Sequence, residues 1–293
     1  MTPAILWRAT RAYSLPASVV PVLLGTVLAA RGYGEPGGGH FDTSTFLLVL
    51  AGAVLAHFGA NVINDYFDFV YGVDTRPEHG SGVLTRGDMT APQTLGFAII
   101  LFGAAALCGL ALLRTHAAVV VPLALIGLAC AVCYSAFLKK YALGDLLIVL
   151  SFGLGITLGA YGVQVRGVTL APWLWVAFFS IPICLLVDAI LHANNLRDAP
   201  DDRAVHVRTL ATTLSPNAAQ FLQQALLFGP LVFVLAGVST GLLPLWSLGS
   251  LLAFPILRRA SRSGSVEGTA QAHLVFGLLY TLAFLPRPVF LWQ

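Results

Sequence analysis

Long apolar runs dominate this chain and limit it to very few architectures. They follow one another between residues 15 and 291 with short polar breaks, and each is about as long as a bilayer-crossing helix, roughly 17 to 25 residues. We therefore expect an all-α, polytopic membrane protein with about nine transmembrane helices around a central cavity.

The predicted spans fill a single integral membrane domain over residues 1–293. They are residues 15–31, 44–66, 92–113, 117–138, 143–164, 171–192, 217–238, 241–259 and 268–291. Only 10% of the chain is charged, whereas an ordinary globular domain is about a quarter charged, so no second, water-exposed domain is expected. The net charge of +3 without a basic stripe predicts no nucleic-acid partner.

Lysine and arginine are unevenly distributed between the predicted loops, and this predicts the orientation. If the N-terminus is cytoplasmic, 12 of the 16 basic residues lie on the inner side, and only Arg31, Arg114, Arg166 and Arg287 lie outside. Cytoplasmic loops of membrane proteins carry such an excess. We expect a multi-pass protein of the cell's inner, cytoplasmic membrane, with the N-terminus and the two polar clusters described next on the cytoplasmic side.

The first polar cluster follows the apolar run that ends near Phe58. It contains Asn61, Asn64, Asp65, Asp68 and Asp74. Residues three and four apart share one face of a helix, so Asn61, Asn64 or Asp65, and Asp68 form a polar stripe. A carboxylate at the bilayer centre costs about 2.5 to 3.5 kcal/mol, so several together require a cavity and a cation. The cluster indicates a functional site.

The second polar cluster follows the apolar run 172–191. It contains Asn194, Asn195, Arg197, Asp198 and Asp202. Asn194 and Asp198 again lie four positions apart, the interval that places side chains on one face of a helix, and Asp202 lies four further on. An even number of predicted helices separates the two clusters, which brings both to the same side of the membrane. We expect them to face each other across one cavity.

Oxygen ligands dominate both clusters, and cysteine and histidine are nearly absent from them. Asn and Asp oxygens suit Mg²⁺, which takes one or two carboxylates and completes its shell with water and phosphate oxygens. Basic residues on the same predicted side suit phosphate binding as well. These are Arg76, Arg86, Lys139, Lys140, Arg197, Arg203 and Arg208. A diphosphate site that opens into lipid favours an isoprenoid substrate, whose leaving group Mg²⁺ would stabilise.

The two clusters resemble the aspartate-rich motifs of the UbiA superfamily of intramembrane aromatic prenyltransferases. Those motifs are broadly N-D-x-x-D and N-N-x-R-D-x-x-x-D, and the chain has Asn64-Asp65-Tyr-Phe-Asp68 and Asn194-Asn195-Leu-Arg197-Asp198 followed by Asp202. The resemblance extends over most of the chain. The segments Gly72-Val-Asp74 and Lys140-Tyr-Ala-Leu-Gly-Asp145 are most similar to the naphthoquinone branch, the menaquinone-forming 1,4-dihydroxy-2-naphthoate polyprenyltransferases.

This resemblance implies transfer of a polyprenyl group from polyprenyl diphosphate to an aromatic acceptor, with Mg²⁺ as cofactor and 1,4-dihydroxy-2-naphthoate as the favoured acceptor. The implied metal ligands are Asn64, Asp68, Asp74, Asp198 and Asp202. The implied catalytic residues are Asp65, Asp68, Asp198, Lys139 and Tyr134. The implied substrate-binding residues are Asn61, Tyr66, Arg76, Lys140, Asn194, Asn195, Arg197 and Arg208.

The second cluster departs from the family pattern at two places. His206 and Val207 stand where Gly-Lys usually precedes the basic residue, here Arg208, which removes one cation. Pro200 lies inside the motif and disfavours helix at the residue before it. We therefore expect Asp202 to be presented from a turn.

Several alternatives stay open at this point. The acceptor is alternatively 4-hydroxybenzoate, homogentisate, haem or a lipid glycerol ether. A cation-coupled transporter would also use intramembrane acids, although acids at helix exits beside cations favour a phosphate site. Asp145 is either a helix cap or a ligand, and Asp188 is either a buried acid or part of the cavity. His57, His192 and His273 are expected to be hydrogen-bonded core residues.

Overall fold

The computed structural model describes residues 2–33, 39–73, 75–77, 79–133, 142–165 and 170–286, with the backbone alone at residues 128 and 131–133. Within these ranges the chain forms helices and turns, and no strand is present. The all-α prediction is confirmed. The following element bounds place the site.

The first half contains α1 (Pro3–Ala9), a 3₁₀ turn (Ala12–Ser14), α2 (Pro16–Ala30), α3 (Thr43–Val70), α4 (Ala91–Cys133), α5 (Gly144–Ile148), a π-helical segment (Val149–Gly155) and α6 (Ile156–Gly162). The second half contains α7 (Leu170–Ala204), α8 (Leu210–Thr213), α9 (Pro216–Ser239), a 3₁₀ segment (Leu245–Ala253), α10 (Phe254–Ser263) and α11 (Val266–Leu282).

Six helical stretches in the described part are long and apolar enough to cross a membrane. They are Ala12–Ala30, Thr43–Val70, Ala91–Gly127, Gly144–Gly162, Leu170–Ala204 and Pro216–Ser239. The chain is therefore a multi-span membrane protein. The predicted count of nine differs from these six for three reasons. α4 covers two predicted spans, and the span predicted over 241–259 is divided between two short helical segments. α11 has only 17 residues.

α4 contains a reversal rather than one straight rod. His116 has a non-helical backbone conformation, with φ −132° and ψ 26°. A Cβ placed on Gly109 would lie 3.8 Å from Cγ1 of Val120, although eleven helical residues span about 16 Å along a straight axis. The chain therefore folds back at His116, between the two spans predicted for this region.

The start of α3 is secured by Asp42, at the end of the helix away from the polar cluster. Its carboxylate accepts hydrogen bonds from the Ser44 hydroxyl at 2.6 Å and the Thr45 N–H at 2.7 Å, and these bonds lower the pKa of Asp42 to about 2. The Gln164 side chain forms two hydrogen bonds with the backbone of Asp42. Its Oε1 accepts from the Asp42 N–H at 2.7 Å, and its Nε2 donates to the Asp42 C=O at 3.0 Å. The end of α6 is thereby tied to the start of α3.

The main core lies between α2, α6, α7, α9 and α11, and it contains Tyr161, Leu186, Leu227 and Phe276. α2 and α6 approach so closely that a Cβ on Gly25 would collide with the Thr157 carbonyl oxygen. Small residues allow this kind of backbone contact between membrane helices. This packing holds α2 against the wall of the site described below.

We expect Gly25→Ala to destabilise the folded protein by about 2 to 3 kcal/mol, because the collision involves backbone that moves only with its helix. The matched control is Gly96→Ala in α4, where an added Cβ meets nothing within 4 Å among the described residues. Thermal unfolding in detergent measures both. Equal midpoints for the two variants would show that the α2–α6 contact is not close-packed.

Candidate functional site

The C-terminal parts of α3 and α7 open onto one cavity with an empty volume of about 1330 Å³. Both polar clusters contribute to its wall: Asn61, Asn64 and Asp68 come from α3, and Asn194, Asn195, Asp198, Asp201 and Asp202 come from α7. Two segments more than 100 residues apart in the chain thus meet, as the pairing of the clusters predicts. Their roles as ligands stay predictions.

The two helices present their aspartates in the same way. On α3 the Asn64 amide donates to Oδ2 of Asp68 at 2.8 Å, and on α7 the Asn194 amide donates to Oδ2 of Asp198 at 3.0 Å. Both pairs lie four residues apart, where side chains of a helix meet. Each amide fixes the orientation of a carboxylate at the cavity wall.

Asp202 is presented from α7 itself, because the helix continues through Pro200 to Ala204. The expectation of a turn at Asp202 is therefore wrong. Proline is tolerated inside membrane helices when neighbouring groups satisfy the freed backbone. Asp202 is buried at the cavity wall, one helical turn beyond Asp198.

Arg197 contacts its own motif in this structure. Its guanidinium donates to both oxygens of Asp198, at 2.7 and 2.8 Å, and to Oδ1 of Asn194 at 2.9 Å. A carboxylate has about four lone-pair sites, so Asp198, which accepts three hydrogen bonds from Arg197 and Asn194, retains about one site for a further ligand. Arg197 itself is not among the residues that line the cavity, so its contact with substrate stays a prediction.

The loop after α3 is joined to α7 at the mouth of the cavity. Arg76 forms an ion pair with Asp201, and Nε2 of His79 lies 3.0 Å from the other Asp201 oxygen. Asp201 and His79 both line the cavity, and neither was among the predicted site residues. Asp201 adjoins a predicted ligand and was detectable on that ground, whereas nothing in the sequence marks His79.

Asp65, one of the predicted catalytic residues, does not line the cavity. Its side chain is buried, pairs with Arg11 and accepts hydrogen bonds from the Ser81 hydroxyl and, at 3.0 Å, the Ser81 N–H. It therefore joins α3 to the segment before α2 and to the loop that follows α3. This placement indicates a structural role for Asp65.

Among the described residues, four predicted substrate-binding residues do not line the cavity: Tyr66, Arg76, Arg197 and Arg208. Tyr66 packs in a second apolar cluster with residues of α1 and α4. It lies two residues from both Asn64 and Asp68, and residues two apart do not share a face of a helix. Because Asn64 and Asp68 line the cavity, Tyr66 points elsewhere. Arg208 is exposed, and its carbonyl oxygen accepts the Ala142 N–H at 3.0 Å. Four further predicted residues lie outside the described ranges: Asp74, Tyr134, Lys139 and Lys140.

A second hydrogen-bonded group lines the cavity deeper along α3. Oγ of Ser14 lies 2.7 Å from Nε2 of His57, and Oγ of Ser18 lies 2.7 Å from Nδ1. The Asn61 amide reaches the same Ser14 oxygen at 3.1 Å. His57 is a satisfied histidine, as expected, but it also lines the cavity together with Ser14 and Asn61. Sequence spacing contains no signal for the two serines.

Comparison with known proteins identifies this architecture. A model of the UbiA prenyltransferase family matches residues 18–285. The chain belongs to this family. It is therefore a prenyltransferase enzyme, and the family assignment favours this over the transporter alternative.

Relatives of the UbiA family support the assignment over nearly the whole length. The mouse UbiA prenyltransferase domain-containing protein 1 is 34% identical over 297 residues, covering 96% of this chain and 83% of its own. The fruit-fly homolog, from Drosophila melanogaster, is 34% identical over 290 residues, covering 94% of this chain and 77% of its own. These names specify no acceptor.

Solved UbiA structures share the fold at low sequence identity. The apo UbiA homolog of Aeropyrum pernix K1 matches with a TM-score of 0.65 at 18% identity, covering 92% of this chain and 95% of that one. The Archaeoglobus fulgidus UbiA homolog bound to GPP and Mg²⁺ matches with a TM-score of 0.62 at 12% identity, covering 96% of this chain and 98% of that one.

The UbiA cavity of this chain fits Mg²⁺ by its donor chemistry. Asp68, Asp198 and Asp202 bring carboxylate groups to the wall of one cavity, and the two asparagine amides orient two of them. Among the described residues no group of three or more acids, histidines or cysteines forms a ready-made metal site. Mg²⁺ is usually held by one or two carboxylates together with substrate phosphate and water.

Behind the cavity, Asp145, Asp188 and His192 form a buried polar group. Nδ1 of His192 lies 3.4 Å from Oδ1 of Asp145, and its Nε2 lies 2.9 Å from the Ala219 carbonyl oxygen. Asp145 makes no side-chain capping bond in α5. In the described structure it is a buried acid rather than the cap considered above, and Asp188 does not line the cavity.

Proposed function

We propose that this enzyme transfers a polyprenyl group from polyprenyl diphosphate to an aromatic acceptor, most favourably 1,4-dihydroxy-2-naphthoate with loss of CO₂, as a step in menaquinone synthesis. One observation carries the proposal. Two oriented Asn–Asp pairs, from α3 and α7, lie on the wall of a single cavity whose remaining wall is largely apolar. A polar head and an apolar tail on one substrate suit such a cavity.

The diphosphate is assigned to the cavity mouth. There Asn64, Asp68, Asp198 and Asp202 would hold Mg²⁺, with Asp74 as a further predicted ligand. When bound, Mg²⁺ neutralises diphosphate charge and so stabilises the leaving group. The Asn64 and Asn194 amides hold their carboxylates in one orientation, so little reorganisation would be needed when substrate and metal bind.

The prenyl chain is assigned to the apolar wall. Leu147, Ile148 and Phe152 contribute to it from the α5 region, and Val187 and Ile190 contribute from α7. When the bond from the allylic carbon to the diphosphate oxygen breaks, the electron pair leaves with the diphosphate. These side chains then exclude water from the allylic cation until the aromatic carbon attacks it.

The choice of acceptor rests on the motif resemblance. Asn64-Asp65-Tyr66-Phe67-Asp68 and Leu143-Gly144-Asp145 are similar to the naphthoquinone branch of the family. In that reaction the carbon bearing the carboxylate forms the new bond to the prenyl group. Its bond to the carboxylate then breaks, CO₂ departs, and the electron pair restores the aromatic ring. The distribution of basic residues favours a site on the cytoplasmic side of the membrane. In this proposal the chain crosses the bilayer about nine times.

The test is the mass of the product that the purified protein makes from geranylgeranyl diphosphate and a mixed set of acceptors. We expect a prenylated, decarboxylated naphthalenediol with Mg²⁺ and a loss of product of at least 100-fold after chelation. Prenylated 4-hydroxybenzoate or homogentisate as the main product would reject the favoured acceptor. Turnover that survives complete chelation would reject the assigned metal chemistry.

A further inference from the structure

The side-chain amide of Asn61 is locked in one orientation. Its nitrogen donates to the Thr10 carbonyl oxygen at 2.9 Å and to Oγ of Ser14 at 3.1 Å. A backbone carbonyl only accepts hydrogen bonds, so the atom that faces Thr10 must be the amide nitrogen. Both amide hydrogens are thereby used, and Oδ1 points away from these partners. Asn61 lines the cavity, and Oδ1 is the amide atom that these two contacts do not use.

Ser14 and His57 maintain the lock. The Ser14 hydroxyl donates to the Arg11 carbonyl oxygen at 2.8 Å, so its oxygen accepts from the Asn61 amide and from Nε2–H of His57. Nδ1 of His57 then accepts the Ser18 hydroxyl at 2.7 Å. This assignment uses each of these donors once, and it places His57 and both serines in one rigid network between α2 and α3.

We propose that this network selects the aromatic acceptor by a hydroxyl group, with Asn61 Oδ1 as the contact and Ser14 and His57 as positioning residues. The inference rests on the proposed function and specifies its acceptor end. Asn61 and Asp68 lie seven residues apart on α3, which corresponds to about 10 Å along the helix axis. That separation leaves room for an aromatic ring between the hydroxyl contact and a diphosphate held at Asp68.

The surroundings favour a neutral hydroxyl over an anion. Arg11 lines the cavity, but its guanidinium is already paired with Asp65. The Asn61 amide oxygen can accept a hydrogen bond from a hydroxyl group, whereas its partial negative charge repels a carboxylate. Phe152 also lines the cavity, and its ring lies edge-on to that of His57 with centroids 5.3 Å apart. The Phe152 ring provides an apolar wall for an aromatic acceptor.

The experiment compares 1,4-dihydroxy-2-naphthoate with its two monomethyl ethers, for the wild type and for His57→Phe, Ser14→Ala and His57→Gln. Wild type is expected to discriminate against one ether by about 100-fold in kcat/KM, because the buried oxygen loses its donor. His57→Phe and Ser14→Ala are expected to raise the acceptor KM about tenfold and to reduce that discrimination to about tenfold or less. The KM for the prenyl diphosphate should change less than about twofold. His57→Gln retains a donor for Ser14 and should restore the discrimination.

The matched control is His273→Phe in α11. His273 is fully buried and outside the cavity wall, and both of its ring nitrogens have no hydrogen-bond partner among the described residues. This variant should leave the discrimination unchanged. Equal loss of discrimination in His273→Phe, or unchanged discrimination in both His57→Phe and Ser14→Ala, would overturn the proposal.

A binding measurement separates this inference from the proposed function. Quenching of the protein's tryptophan fluorescence by the naphthoate and its ethers reports acceptor binding without turnover. If no prenyl product forms but wild type still distinguishes hydroxyl from ether in binding, the proposed reaction fails and the hydroxyl site stands. If product forms and the ethers bind and react as well as the parent, the hydroxyl site fails and the reaction stands.

Discussion

Asp68→Asn and Asp198→Asn are each expected to lower kcat/KM for prenyl transfer by about 1,000-fold. Asparagine preserves the size of the side chain but removes the charge that balances a bound cation. The substitution also replaces one carboxylate oxygen by an NH₂ group, which donates hydrogen bonds. Oδ2 of each aspartate accepts the Asn64 or Asn194 amide, and an NH₂ group in its place would face that amide with a second donor. Both helices should therefore lose the oriented carboxylate that the diphosphate end of the cavity requires.

The measurement is product formation by purified variants over a range of Mg²⁺ concentrations. Asp42→Asn provides the control, because Asp42 caps α3 at the opposite end from the cavity and asparagine caps a helix about as well as aspartate. Its activity should match the wild type. If either Asp68→Asn or Asp198→Asn retained more than a tenth of wild-type kcat/KM, the two-sided metal site would be wrong.

Asp65→Asn is expected to destabilise the folded protein by about 3 to 5 kcal/mol, since removing one partner leaves the buried Arg11 charge uncompensated. The Arg11 and Asp65 side chains are only 11% and 5% exposed. Once corrected for the folded fraction, activity should stay within about threefold of the wild type, because Asp65 does not touch the cavity. This outcome differs from the catalytic role that the motif alone predicts.

Asp88→Asn is the matched control for that stability effect. Asp88 pairs with Arg8, but these two side chains are 31% and 39% exposed, and exposed pairs contribute about 0 to 1 kcal/mol. Thermal unfolding and prenyl transfer are measured on the same preparations. A stable Asp65→Asn protein with activity reduced 100-fold or more would return Asp65 to the catalytic residues.

Much of the site is predictable from local spacing, for a physical reason. Asn64 and Asp68, like Asn194 and Asp198, are four residues apart, and that interval brings side chains together on any α-helix. The cost of placing acids in a membrane indicates that they must share a cavity. The lipid environment, by forcing the long apolar runs to be helical, leaves few other arrangements.

Local spacing fails where a residue's partner lies in another element. Asp65 belongs to the motif, yet Arg11 and Ser81 draw it away from the cavity. Asn61 was predicted to bind substrate, but the orientation of its amide depends on Thr10 and Ser14, about 50 residues earlier. Asp202 remains on a continuous helix although the preference of the residue before a proline predicts a turn.

The sequence by itself determined the helical class, the membrane location and the two Asn–Asp pairs, because each follows from hydrophobicity or from intervals within one helix. Only the tertiary structure decided which acids line the cavity and which form buried ion pairs. It also decided that Ser14 and His57 hold the Asn61 amide at the cavity wall. These choices depend on contacts between α2, α3 and α7. Contacts of that kind are set by the packing of distant segments, and no spacing along the chain encodes them.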